Sequence, residues 1–278
     1  MEPLDFFVDP YPLEDMHSLL AILPILCSPQ PVVEPDVRVL FLGDRGHHRP
    51  AERHAELSPA LARRGIELTY TEDLSLLSAE GLEHYDVLCV YANIDLLPEE
   101  NERALMDWVN DGGGLVALHC ASFCFRNSEA WIELVGAQFQ RHGAEVFRTT
   151  VVERDHPVTR GYLPFESWDE TYVHTLHNED RTVLEVREDG EGAEPYTWTR
   201  VHGRGRVFYT AWGHDGRTFQ HEGFHELVDR GIRWAAGMNR PLEARISPES
   251  KPARIPNYLA GEDDARMVEP LNLSLIHI

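Results

Sequence analysis

Between residues 37 and 237, short runs of β-branched and apolar residues alternate with stretches whose apolar positions recur every three or four residues. The runs read as strands and the stretches as amphipathic helices, and their alternation predicts a parallel sheet covered on both faces. Residues 37–42, 66–70, 86–91 and 115–118 are the first four strands. Pro50 is placed to open a helix after the first, since proline is welcome at the first helical position. Pro98 opens another, with Leu105, Met106, Trp108 and Val109 on its apolar side, and Gly112-Gly-Gly114 stops it. The fourth strand then delivers His119 and Cys120 at its end.

After Gly136 the texture turns strand-rich and aromatic. Strands are expected at 146–152, 183–186, 196–201 and 207–211, the last two forming a hairpin about Gly203-Arg-Gly205, followed by a final helix at 219–236. The expected fold is α/β and flavodoxin-like, a mostly parallel sheet with helices on both faces and a β-rich second half, in one domain spanning 37–239. Residues 1–36 and 240–278 carry no sustained amphipathic period and are rich in proline or charge, so they read as an N-terminal extension and a linker or tail.

The apolar run from Met16 to Cys27 is too short to cross a bilayer. It has the length of a signal-peptide core, which predicts export to the periplasm or beyond, but it lacks a basic start and a small-residue cleavage site. The alternative is a cytoplasmic chain with an extended N-terminus. The closing Leu273-Ser-Leu-Ile-His-Ile278 resembles a translated library-adapter sequence, so the chain is expected to be a fragment cut before its true end.

Charge narrows the partners. The chain has 47 acidic and 25 basic side chains, and residues 37–239 alone carry 34 acids against 20 bases. A field of that sign repels phosphate backbones and anionic lipid, which excludes nucleic acid and acidic membranes as natural partners. Only Lys251 is a lysine, and it lies beyond the predicted domain. A Walker phosphate loop and a Schiff-base enzyme each need a core lysine, so both fail on inventory. Gly112-Gly-Gly114 stops a helix and feeds a strand, the reverse of the order a dinucleotide-binding glycine loop requires.

Ligands in open parallel sheets bind outside the carboxyl ends of the strands. The polar residues expected there are Asp44, His47 and His48, then Asn93, then His119, Cys120 and Ser122, and finally His214 and Asp215. A second cluster runs from Phe165 to His177, where Asp169 and Glu170 are followed by His174 and His177 among aromatic residues; it reads as a loop. Carboxylate plus imidazole suits a general base or a metal ligand, and large aromatics beside polar groups also make a sugar-stacking platform. Cys120 follows a core strand, as a nucleophile would, but Leu-His-Cys-Ala-Ser lacks the small flanking residues of a nucleophile elbow and shows no triad partners.

Five blocks then agree with one family. Gly112-Gly-Gly-Leu-Val-Ala-Leu-His119, Asp155-His-Pro-Val-Thr-Arg-Gly161, Trp168-Asp-Glu-Thr-Tyr172, Gly203-Arg-Gly-Arg-Val-Phe-Tyr-Thr-Ala-Trp-Gly-His214 and Arg230-Gly-Ile-Arg-Trp-Ala-Ala-Gly237 resemble the ThuA-like (trehalose-utilisation) domain over about residues 37–238. The resemblance implies a class I glutamine amidotransferase-like fold without the glutaminase triad, and a role with disaccharides or their oxidised, keto forms. The tail Lys251-Pro-Ala-Arg-Ile-Pro-Asn-Tyr258 is similar to a linker that joins such domains to a haem-associated sugar dehydrogenase-type region, which implies a fused C-terminal partner.

Together these readings favour a carbohydrate-directed hydrolase or lyase. Glu170 or Asp169 is the expected base with His174 nearby, His119 and His214 are expected to hold a divalent metal such as zinc, and His47, Asn93, Trp168 and Tyr172 are expected to contact sugar. The competing readings are a sugar-binding module without catalysis and, more weakly, a Cys120-dependent amidase. Cys120→Ser is expected to leave any sugar-directed activity intact. Stoichiometric inactivation by iodoacetamide, traced to Cys120 and blocked by substrate, is the result that would favour the amidase.

Overall fold

The computed structural model describes residues 34–188, 190 and 192–238, so residues 1–33 of the predicted extension and the whole predicted tail lie outside the described residues. The elements in chain order are β1 (Val37–Leu42), α1 (Pro50–Ala62), β2 (Ile66–Thr71), α2 (Ala79–Leu82), β3 (Val87–Val90), α3 (Glu99–Asn110), β4 (Gly114–Leu118), α4 (Glu129–Val135), β5 (Gln138–Arg141), β6 (Ala144–Arg148), β7 (Thr150–Val151), β8 (Glu166–Glu170), β9 (Val173–Thr175), β10 (Thr182–Glu188), β11 (Ala193–His202), β12 (Gly205–Thr210), α5 (Gly216–Phe219) and α6 (Glu222–Ala235).

One mixed sheet runs in the order β2-β1-β3-β4-β12-β11-β10-β7. Pairing is parallel from β2 through β12 and antiparallel from β12 to β7. Sequence pattern explains the order. Every residue of β3 and β4 is buried, as an apolar run between two covered faces must be, whereas β2 alternates buried and exposed positions as an edge strand does. Helices α1, α5 and α6 touch one another on one side, and α2, α3 and α4 form a second contiguous group. The core between is rich in aromatics, with Trp131, Trp198, Trp212, Tyr91, Tyr196 and Tyr209 fully buried.

Three expectations change. The expected aromatic loop at 165–177 contains two strands: β8 pairs with β6 and β9 with β5, each as a separate antiparallel pair beside the main sheet. Their period is hidden in the sequence because polar residues, Asp169, Glu170 and His174, occupy buried positions. The expected strand at 146–152 is divided at Thr149, whose hydroxyl turns inward to donate to Glu185 Oε1 at 2.7 Å. The expected final helix is broken at His221, whose Nδ1 accepts the Gly223 N–H at 2.9 Å and caps α6.

The predicted hairpin joins β11 to β12, and its turn is seated against the end of α3. Arg204 N–H donates to Asn110 O at 2.8 Å. A Cβ on Gly205 would lie 2.0 Å from Val109 O and 2.6 Å from Gly113 O, both backbone atoms that cannot swing away. Gly205→Ala is therefore expected to cost at least about 2 kcal/mol, a fall on the order of 5 °C or more in melting temperature. An unchanged melting curve would show that the hairpin does not depend on this seat.

Candidate metal centre

Parallel pairing aligns the carboxyl ends of four strands. Leu42 lies beside Val90, Val90 beside Ala117, and Leu118 beside Thr210. Whatever follows these residues leaves from one edge of the sheet. His48 follows β1, Asn93 follows β3, His119 is the first residue after β4, and His214 follows β12.

At that edge one donor atom from each of His48, His119, Glu170 and His214 lies within 4.8 Å of the other three. Glu170 Oε2 is 3.2 Å from His119 Nε2, and Oε1 is 3.0 Å from His214 Nδ1. These pairs are close but off the hydrogen-bonding direction: His48 Nε2, His119 Nε2 and His214 Nδ1 are buried without a hydrogen-bond partner. A buried polar atom left unbonded costs about 1–3 kcal/mol. Three such nitrogens gathered around a carboxylate fit the donor set of a divalent-metal centre.

Protonation agrees with that fit at His48. Burial, reinforced by the neighbouring His119, His47 and His214 rings, pushes His48 down to about 2, so its imidazole is neutral, the form that ligates. Burial alone would push the Glu170 carboxyl up, but the His119 and His214 imidazoles outweigh it and hold the group well below the usual carboxylate range. Burial likewise lowers His214, and the Glu170 carboxylate more than offsets this, so the net shift is upward.

Each donor has its own support. His119 Nδ1–H donates to Ala211 O at 2.6 Å, which leaves Nε2 as the lone pair facing Glu170. Its backbone sits at φ 47°, unusual for a residue with a Cβ, and its carbonyl accepts from the Ser122 and Tyr209 hydroxyls, each at 3.1 Å. Tyr172 stacks on its ring at 4.2 Å. Asp169 holds Glu170 and His214. Its carboxylate accepts the Glu170 N–H at 2.7 Å, the Gly213 N–H at 2.9 Å, the His214 N–H at 3.1 Å and the Thr218 hydroxyl at 2.6 Å.

The structure thus brings His119, His214 and Glu170 into one donor cluster, with the other expected residues around it and outside the donor set. Asp169 is fully buried and saturated by four donors, so it faces no substrate. His174 is equally closed: Nδ1 is 2.9 Å from Glu194 Oε1 and Nε2 3.0 Å from the Tyr209 hydroxyl, with the side chain wholly buried. Burial raises Glu194 to about 7. Tyr172 is spent on His119, and Trp168 carries the Arg217 guanidinium 3.4 Å above its ring, so one of its faces is covered. His47 is exposed and its ring lies 4.0 Å from that of His48.

Sequence reading put both His47 and His48 at this edge but assigned the contact to His47, and it did not find His142. His48, not its neighbour His47, turns into the cluster, and a loop without periodicity offers no signal to choose between them. His142, on the turn between β5 and β6, is one-third exposed, with Nδ1 3.5 Å from Glu170 Oε1. Cys120, by contrast, is buried, and burial pushes its thiol well above the ordinary value, so the thiolate a nucleophile requires is suppressed.

A mixed sheet flanked by helices, with its candidate site at the carboxyl ends of parallel strands, defines an α/β protein of flavodoxin-like architecture. The family model for trehalose utilisation (ThuA) matches residues 38–235, and the chain belongs to that family. Among solved structures it is similar to a ThuA-like protein from Bacteroides uniformis, with 21% identity, a TM-score of 0.61, and coverage of 74% of this chain and 94% of the other. A ThuA-like protein from Parabacteroides merdae gives 21% identity and a TM-score of 0.61, covering 78% and 95%. A β-galactosidase from Bacillus circulans shares the fold over 73% of this chain and 31% of its own, with 14% identity and a TM-score of 0.50. Comparison with curated proteins finds no match.

Because Asp169 ties Glu170 to the chain after β12, removing it strands three backbone N–H groups and a hydroxyl away from water. Asp169→Ala is expected to cost about 3 kcal/mol or more, lowering the melting temperature by roughly 6–12 °C. A variant as stable as the parent, measured by thermal unfolding, would show that these donors find other partners.

Proposed function

We propose that this chain is a carbohydrate-directed hydrolase or lyase whose reaction centre is the His48, His119, Glu170 and His214 cluster, loaded with a divalent cation. The observation that carries the reading is the convergence of three buried imidazole nitrogens, none with a hydrogen-bond partner, on one carboxylate. Family membership supports trehalose or a related disaccharide, including its keto form, as the substrate class. The acidic surroundings suit such a substrate, which is uncharged and not repelled.

A bound cation would polarise a sugar oxygen or lower the pKa of a bound water. Tetrahedral zinc would be saturated by four protein donors, so the set suits an ion that takes five or six ligands, such as manganese, iron or cobalt. Glu170 belongs to the donor set in this reading and is not free to act as a base. His142 stands at the open side, within reach of a substrate hydroxyl. Asp169 and Tyr172 act on the donors and not on the sugar.

Metal analysis of the purified chain tests the reading. About one equivalent of a divalent cation is expected, His119→Ala and His214→Ala should lose it without unfolding, and Glu170→Gln should lose both cation and turnover when trehalose, related disaccharides and their 3-keto forms are screened. Metal-free protein that binds disaccharide undiminished, with no turnover after cation is added back, would favour the sugar-binding module instead.

A further inference from the structure

We propose that Asn93 sets the tautomer of His48, and so decides which ring nitrogen that residue offers; the inference rests on the metal reading above. A neutral imidazole carries one hydrogen, and the nitrogen that ligates is the one without it. In His48 the nitrogen free to ligate is Nε2, buried and without a hydrogen-bond partner. The hydrogen must then sit on Nδ1 and needs an acceptor. The group facing Nδ1 is the Asn93 side-chain amide, with Nδ2 3.4 Å away.

An NH2 group in that place is a donor, which would hold the hydrogen on Nε2 and turn it against a cation. The other end of the same amide, Oδ1, is buried and also lacks a partner. The two ends of an amide are nearly alike in shape, and a half-turn exchanges them. Rotated so, Oδ1 accepts the Nδ1–H, and Nε2 presents its lone pair to the cluster. The rotation gives Oδ1 a donor and leaves the Nε2 lone pair facing the cluster, with Nδ2 taking the place Oδ1 held, whereas a hydrogen on Nε2 leaves Oδ1 unbonded.

The placement of Asn93 fits such a task. Its backbone N–H donates to Asp44 Oδ2 at 2.5 Å, and Asp44 Oδ1 accepts the Gly46 N–H at 2.6 Å, so the loop carrying His48 is tied to the loop carrying Asn93. His119 is governed in the same manner, its Nδ1–H donating to Ala211 O. A backbone carbonyl sets one ring and a side-chain carbonyl the other. Asn93 is accordingly a positioning residue, in place of the sugar contact expected from the sequence.

Cobalt(II) affinity of the full chain, by competition titration, and the ring nitrogen shifts of His48 in the metal-free protein test the proposal. Asn93→Ala is expected to bind cobalt about 10–100-fold more weakly, with the metal-free melting temperature little changed. Asn93→Asp, which can only accept, should restore binding and keep the hydrogen on Nδ1. An Nε2–H tautomer in the parent protein, an Asn93→Asp variant as weak as Asn93→Ala, or an Asn93→Ala variant that binds like the parent would each overturn it. Parent protein that takes up no cobalt would instead defeat the metal reading, while the nitrogen shifts still decide the tautomer.

Discussion

The buried carboxylate of Asp169 is the constraint on which the site depends. An anion taken out of water must be repaid by donors, and the donors it finds are the N–H groups of Glu170, Gly213 and His214 and the Thr218 hydroxyl. Burial still raises its pKa. The consequence is geometric: β8, which belongs to a two-stranded pair outside the main sheet, is fastened to the loop that leaves β12. Without that tie Glu170 and His214 would ride on independent elements.

Around the tie the site is built from rigid pieces. His48 and Asn93 come from loops joined through Asp44, His119 follows a central strand directly, and Tyr172 presses on its ring. The unusual backbone of His119 is held by hydroxyls from Ser122 and Tyr209, and Tyr209 is in turn bonded to His174, which leans on Glu194. Polar groups buried as a connected set restrict geometry more than apolar packing can, because each has few acceptable partners. The set of residues that the sequence suggested is therefore divided in two, some in the donor cluster and others holding those in place.

Chemistry follows from what is left unbonded. Most buried polar atoms in a folded protein find partners, and here one nitrogen from each of three histidines does not, although Asp169 and both nitrogens of His174 nearby are bonded. Their convergence on Glu170 is what marks them as a donor set, and it cannot be read from residue type.

The alternation of apolar runs and helical periods determined the α/β class, the parallel strands β1 to β4 and the hairpin of β11 and β12, because burial on two faces imposes continuous apolar runs whatever the tertiary details. The same logic placed His119 and His214 at one edge, since parallel strands end together. Strands β8 and β9 were hidden because their inward positions are polar, so no apolar period marks them. The choice of His48 over His47, the nearness of His142 to Glu170 and the burial of Asp169 and His174 were decided by tertiary structure alone. Each depends on which partner stands within about 3 Å, and that is a property of elements far apart in the chain, which local sequence does not encode.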